Sequence, residues 1–111
     1  MYTLLGGMAK KRKQRSLTKV VDERFSIHRK KGGGLVRQEA WENEQGVIEK
    51  YAITYINPSL PSDENGRVLG YDNAHRYHHR HYKGEIYPMM NFVSYEDIVD
   101  RFAEELREFV K

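Results

Sequence analysis

Val47-Ile-Glu-Lys-Tyr-Ala-Ile-Thr-Tyr-Ile56 decides the fold. Its β-branched and aromatic residues suit extended backbone, where successive side chains point to opposite faces. Val47, Tyr51, Ile53 and Tyr55 then share one face, and Ile48, Ala52 and Ile56 share the other. A strand apolar on both faces belongs in the middle of a sheet. Asn43-Glu-Gln-Gly46 is a turn signal just before it, and Leu35–Glu42 is a strand before that, with Leu35 and Trp41 opposite Val36 and Ala40. The spacing predicts an antiparallel hairpin.

Working outward, Val21, Phe25 and Ile27 share one parity within 19–28, interrupted by Glu23, which predicts a half-buried strand. Arg29-Lys-Lys-Gly-Gly-Gly34 links it to the hairpin as a flexible connection. Downstream, 57–66 reads as a loop, Arg67–Asp72 as a fourth strand, and 83–92 as irregular. Ser94-Tyr-Glu-Asp97 is a capping box, with Val93 and Ile98 at the positions of a hydrophobic staple. Ile98, Phe102, Leu106 and Phe109 recur at helical spacing opposite a charged face, so an amphipathic helix of about four to five turns is expected over 94–110. The expected fold is α+β: a four- or five-stranded, mainly antiparallel sheet with the C-terminal helix packed on it. That packing assigns Trp41 and Ile53 to the core; the competing use of Trp41, Tyr51, Ile53 and Tyr55 is a stacking platform for unpaired bases.

A chain of 111 residues, 39% hydrophobic and 32% charged, is long enough for one core and one domain. No apolar stretch reaches the ~20 residues of a membrane-spanning helix. Tyr2–Met8 is too short for a signal peptide and its basic residues follow it, while Met8 is a second candidate start. The absence of cysteine excludes disulfides and thiolate metal sites and fits a cytoplasmic protein. The formal charge of +3 hides a gradient: residues 1–31 carry ten basic and two acidic groups, whereas 84–111 carry three and seven. Residues 1–16 read as a basic flexible arm in which Lys10, Lys11, Arg12, Lys13 and Arg15 would meet a polyanion, and 17–111 as a single α+β domain.

Tyr71-Asp-Asn-Ala-His-Arg-Tyr-His-His-Arg-His-Tyr82 holds four of the five histidines. Imidazole gains and loses protons near neutrality, arginine binds phosphate through a planar fork, and tyrosine offers a stacking face. If the run is extended, His75, Tyr77, His79 and His81 share a face opposite Arg76, His78, Arg80 and Tyr82. Three readings stay open. In metal-independent phosphodiester cleavage, one of His75, His79 and His81 is the base and another the acid. Arg76 or Arg80 then steadies the phosphate, Asp72 orients an imidazole, and Tyr77 contacts nucleic acid. A metal site would draw on His79 and His81 with His75 or Asp72, but Arg76, Arg80 and Lys83 would repel the cation, so neither a metal nor another cofactor is expected. Thirdly, the run is a wet surface segment in which Asp72-Asn73 forms an Asx-turn.

Gly70-Tyr-Asp-Asn-Ala-His75, His78-His79-Arg80-His81, the tyrosine-rich strand around 51–55 and the closing Ser94-Tyr-Glu-Asp-Ile-Val-Asp-Arg-Phe102 helix resemble the TumE-type toxins of prokaryotic toxin–antitoxin systems. The resemblance spans roughly Val20 to Val110. It implies a small intracellular toxin acting on RNA, encoded beside a DNA-binding antitoxin. Combined with the histidine run, it gives an endoribonuclease as the leading reading and a non-catalytic nucleic-acid-binding or regulatory protein as the alternative. A homodimer is the simplest cover for an open sheet with one helix.

Truncating residues 1–16 is expected to leave the fold intact and weaken RNA binding. The slope of log K against log[salt] should become shallower by up to ~4 if the arm meets single-stranded phosphates. An unchanged slope would restrict the arm to a solubilising role.

Overall fold

The computed structural model describes residues 16–60, 62 and 64–111; the side chain of His75 and the arm residues Lys10, Lys11, Arg12, Lys13 and Arg15 lie outside that description. The chain is α+β, with strands β1 (Thr18–Ser26), β2 (Leu35–Glu42), β3 (Ile48–Ile56), β4 (Arg67–Asp72), β5 (His79–Tyr82) and β6 (Glu85–Pro88), then helix α1 (Tyr95–Leu106). The strands form one sheet in chain order, each antiparallel to the next. Six strands exceed the four or five expected, because β6 occupies part of the stretch read as irregular. Lys83 and Gly84 join β5 to β6 with φ of 52° and 91°, the left-handed pair that a tight hairpin requires.

The two faces of the sheet differ. Val36 and Ala40 from β2, Tyr51, Ile53 and Tyr55 from β3, and Leu69 and Tyr71 from β4 are buried with Ile98 and Phe102 of α1. The helix lies over β3 and β4. It leaves most of β1 exposed: Val21 and Ile27 still pack against the core as partly buried residues, as expected, while Phe25 between them is 52% exposed. Trp41 also departs from expectation. It is paired with Lys50 across β2 and β3 on the face away from α1, and the Lys19 and Lys50 ammonium groups lie 5.1 and 4.5 Å from its ring. Alternation along β2 places it there, since it shares parity with Leu35 and not with the buried Val36 and Ala40.

Ser94 caps α1, its Oγ accepting from the Asp97 amide at 3.0 Å. The Asp97 carboxylate meets Arg101 Nε at 2.8 Å one turn later. Val93 is 71% exposed, so the expected staple is not formed. The helix has 12 residues and ends at Leu106, short of 110. Phe109 follows in a turn and brings its ring 5.8 Å from Tyr55. Among the described residues no helix is long and apolar enough to cross a membrane.

Phe102→Ala should destabilise the fold by about 3–5 kcal/mol, because it opens a cavity where the helix meets the sheet. Phe25→Ser should cost less than ~1 kcal/mol, since half of that side chain is already in water. Urea unfolding measures both, and equal losses would contradict this division of the sheet.

Candidate active site

The tight turn that ends β4 is held from both sides. Asn73 Oδ1 accepts from the Tyr51 amide at 3.0 Å and its Nδ2 donates to the Glu49 carbonyl at 2.8 Å, so it fastens the turn to β3. Asp72 Oδ1 accepts from the Ala74 amide at 3.0 Å, closing an Asx-turn. The next strand then returns with His79 opposite Asp72 and His81 opposite Gly70. All four positions lie on the face away from α1.

Asp72 is the junction of this face. Its Oδ1 is 3.3 Å from His79 Nδ1 and its Oδ2 is 2.8 Å from His81 Nε2. The same carboxylate thus forms a turn and orients two imidazoles. Burial pushes its pKa up, but hydrogen bonds from His81, the Ala74 amide and His79 outweigh that and hold it at about 2. His81 is bracketed by carboxylates, with Nδ1 3.2 Å from Glu64 Oε1. Both rings are buried, at 8% exposure for His79 and 6% for His81. They differ in what remains uncommitted. His81 has both nitrogens engaged, whereas His79 keeps Nε2 without a hydrogen-bond partner among the described residues. The exposed Tyr77 ring sits 4.2 Å from the His79 ring.

The same alternation carries Arg80 and His78 away from this centre. Arg80 lies on the helix side, where Nε and Nη2 reach Glu105 Oε2 at 3.0 and 2.6 Å. Tyr71 donates to the same carboxylate, and burial together with that bond raises its pKa to about 12. His78 stacks on Phe92 with ring centroids 3.7 Å apart and shares a 2.8 Å hydrogen bond with the Tyr51 hydroxyl. Burial lowers its pKa, assisted by the neighbouring His79. Arg76 is exposed on the short 3-10 turn Ala74–Arg76, at φ 72°. His75 shares that turn.

Two charged residues join the centre that the histidine run alone did not identify. Glu64 comes from the loop before β4. Arg67 opens β4 and brings Nη1 to 3.7 Å from Asp72 Oδ2. Parity counted back from Asp72 puts Arg67 on the opposite face, but the register shift between Tyr55 and Ile56 pairs it with Ile56 and turns it toward the histidines. Among the described residues no group of three or more His, Asp or Glu side chains converges as metal ligands.

The chain matches the model of the family described as toxin TumE over residues 12–110, and it belongs to that family. The match reaches further toward the N-terminus than Val20, taking in Arg12, Lys13 and Arg15. Comparison with curated proteins and with solved structures gave no match.

Because the Asp72 pKa is depressed, its contribution to stability is complete above the ordinary value near 3.8 and is lost as pH falls toward about 2. The contribution should stay below ~2 kcal/mol after solvent screening. Asp72→Asn should therefore melt lower than the native protein above pH ~4, with the gap closing in acid. Melting curves from pH 2 to 7 test this; a constant gap would remove the ionic role of Asp72.

Proposed function

We propose that this TumE-family toxin cleaves RNA without a metal, using the Asp72-His79 pair with His81. The observation that supports this reading is the division of labour around one carboxylate. Asp72 takes His79 Nδ1 and His81 Nε2, so His79 Nε2 is the nitrogen left to handle a substrate proton. An acid–base histidine is built this way when a carboxylate fixes its tautomer and steadies the imidazolium that forms.

On this reading His79 Nε2 removes the proton from a ribose 2′-hydroxyl. The 2′-oxygen attacks the adjacent phosphorus, the bond from phosphorus to the 5′-oxygen breaks, and that oxygen leaves with a proton. His81 is the proposed donor, and its 3.2 Å contact with Glu64 is the one that substrate would displace. The products are a 2′,3′-cyclic phosphate and a 5′-hydroxyl. Arg67, already beside Asp72, supplies the cation for the crowded phosphorus, in the role first considered for Arg76 or Arg80. Tyr77 offers an exposed ring for a base next to the scissile bond. The basic arm would add electrostatic capture of the strand. Membership of a toxin family supports an antitoxin partner; the DNA-binding character of that partner and a homodimeric toxin are parts of the same proposal.

In EDTA, the native protein should convert RNA to fragments ending in cyclic phosphate. His79→Ala should lower the rate by at least ~10²-fold, and His81→Ala by a comparable factor. His28→Ala, at the cap of a distant 3-10 turn, should change nothing. RNA bound tightly but left uncut by the native protein would reject catalysis in favour of a binding module.

A further inference from the structure

Beside the histidine centre, on the same face, lies a cavity of about 350 Å³. Ala52 and Thr54 of β3 form its floor, and Arg37, Glu39, Glu64 and Arg67 form its walls. A Cβ at the neighbouring Gly70 would stand 3.2 Å from the Ile53 carbonyl oxygen, 3.5 Å from Arg67 Cδ and 3.6 Å from Thr54 Oγ1, so glycine lets these groups lie close over β4. The cavity volume falls at the lower end of the ~300–1,000 Å³ typical of small-molecule sites, room enough for a purine. Two walls continue into the centre: Glu64 touches His81 and Arg67 approaches Asp72.

The charges in this cavity alternate. Arg37 and Arg67 are balanced by Glu39 and Glu64, so a phosphate would meet as much repulsion as attraction. A neutral ligand rich in both donors and acceptors suits such walls better. Specific groups remain unused. Lys19 and Arg37 Nη2 both donate to Glu39 Oε2, at 2.7 and 2.8 Å, and Oε1 has no hydrogen-bond partner among the described residues. The Arg37 Nε is buried with no hydrogen-bond partner among the described residues. A buried donor without an acceptor is unfavourable, and a ligand acceptor would satisfy it.

We propose that this cavity is a guanine subsite for the RNA cut at the Asp72-His79 centre. Guanine places two donors together on its N1 and N2 edge and two acceptors together at O6 and N7. The Glu64 carboxylate, whose two oxygens lie 3.2 and 3.3 Å from His81 Nδ1, would answer the first on giving up that contact, and the Arg37 guanidinium would answer the second. Adenine lacks the paired donors, and the pyrimidines lack the O6/N7 acceptor pair. Engagement of Glu64 by a guanine edge would also release His81 Nδ1, coupling base recognition to proton donation. The inference rests on the nuclease reading for its coupling to cleavage, but base binding can be measured separately.

The test compares GpU and UpG with ApU and UpA as substrates of the full chain in EDTA. It also titrates 3′-GMP and 3′-AMP against the Ala52 and Thr54 amide signals by NMR. A guanine dinucleotide cut at least ~10-fold faster than its adenine counterpart supports the subsite, and which of the two is preferred gives its side of the scissile bond. Arg37→Met and Glu39→Gln should pull that ratio toward one. Equal cleavage of all four overturns the subsite and leaves the nuclease standing. With no cleavage of any, shifts from 3′-GMP alone keep the subsite and reject the nuclease. Identical responses to both nucleotides reject the subsite.

Discussion

Ile98 and Phe102 press one helix onto the tyrosine- and isoleucine-bearing face of β3 and β4. Because strand side chains alternate, that contact decides the face taken by the polar residues of regular strand, Arg67 at its bulge excepted. Tyr71 and Arg80 are drawn to the helix side, where Glu105 receives both. Gly70, Asp72, His79 and His81 are thereby committed to the uncovered face. A single amphipathic helix creates one dry face for stability and leaves the charged residues to the other. The sequence His79-Arg80-His81 is the clearest expression of this, since adjacent residues serve opposite sides of one sheet.

Asp72 shows how the wet face is kept in order. Half-burying a carboxylate is unfavourable, and the offset comes from groups that arrive by different routes: a local amide, two imidazoles from the next strand and a more distant guanidinium. The amide belongs to the turn itself, and the other partners are carried by paired strands. Asn73 ties the turn to β3, and the register of β4 with β5 sets Asp72 opposite His79. The geometry of the centre is thus an outcome of strand register more than of side-chain flexibility.

What could be read from the sequence followed periodicity. The both-sided strand at 47–56, the hairpin with 35–42 and the Ser94 cap depend on local patterns, and they appear where those patterns fall. Asp72 as a partner for histidine was also legible, since it closes a strand just before them. Other features depended on tertiary placement. Trp41 joined the open face because the helix settled over its neighbours' other side. Arg67 reached the histidines through a bulge that reverses parity, and no count of alternating residues can foresee a bulge. Glu64 is supplied by a loop whose course is set by its anchoring: Asn57 and Gly66 are joined by a 2.8 Å backbone bond, and the Arg67 amide donates to the Glu64 carbonyl at 3.0 Å. β6 followed a Lys-Gly turn in place of the stronger Asn-Gly signal.

The distribution of charge bears on how such a protein would handle a nucleic acid. Ten of its basic residues fall within 1–31, whereas the cavity beside the histidines is electrically balanced. Attraction of a polyanion acts over about a Debye length, ~8–10 Å at ordinary salt, and requires net charge. Opposite charges a few ångströms apart cancel over that distance, yet remain distinct to a ligand in direct contact. Capture and readout therefore make opposite demands, and on the proposed function the charge pattern would separate them along the chain. On the proposed function the basic N-terminal region would hold any strand, while the alternating guanidinium and carboxylate groups would discriminate by hydrogen-bond pattern. A centre that placed its cations on the histidine face without counter-charges would bind phosphate more strongly but would choose among bases less well.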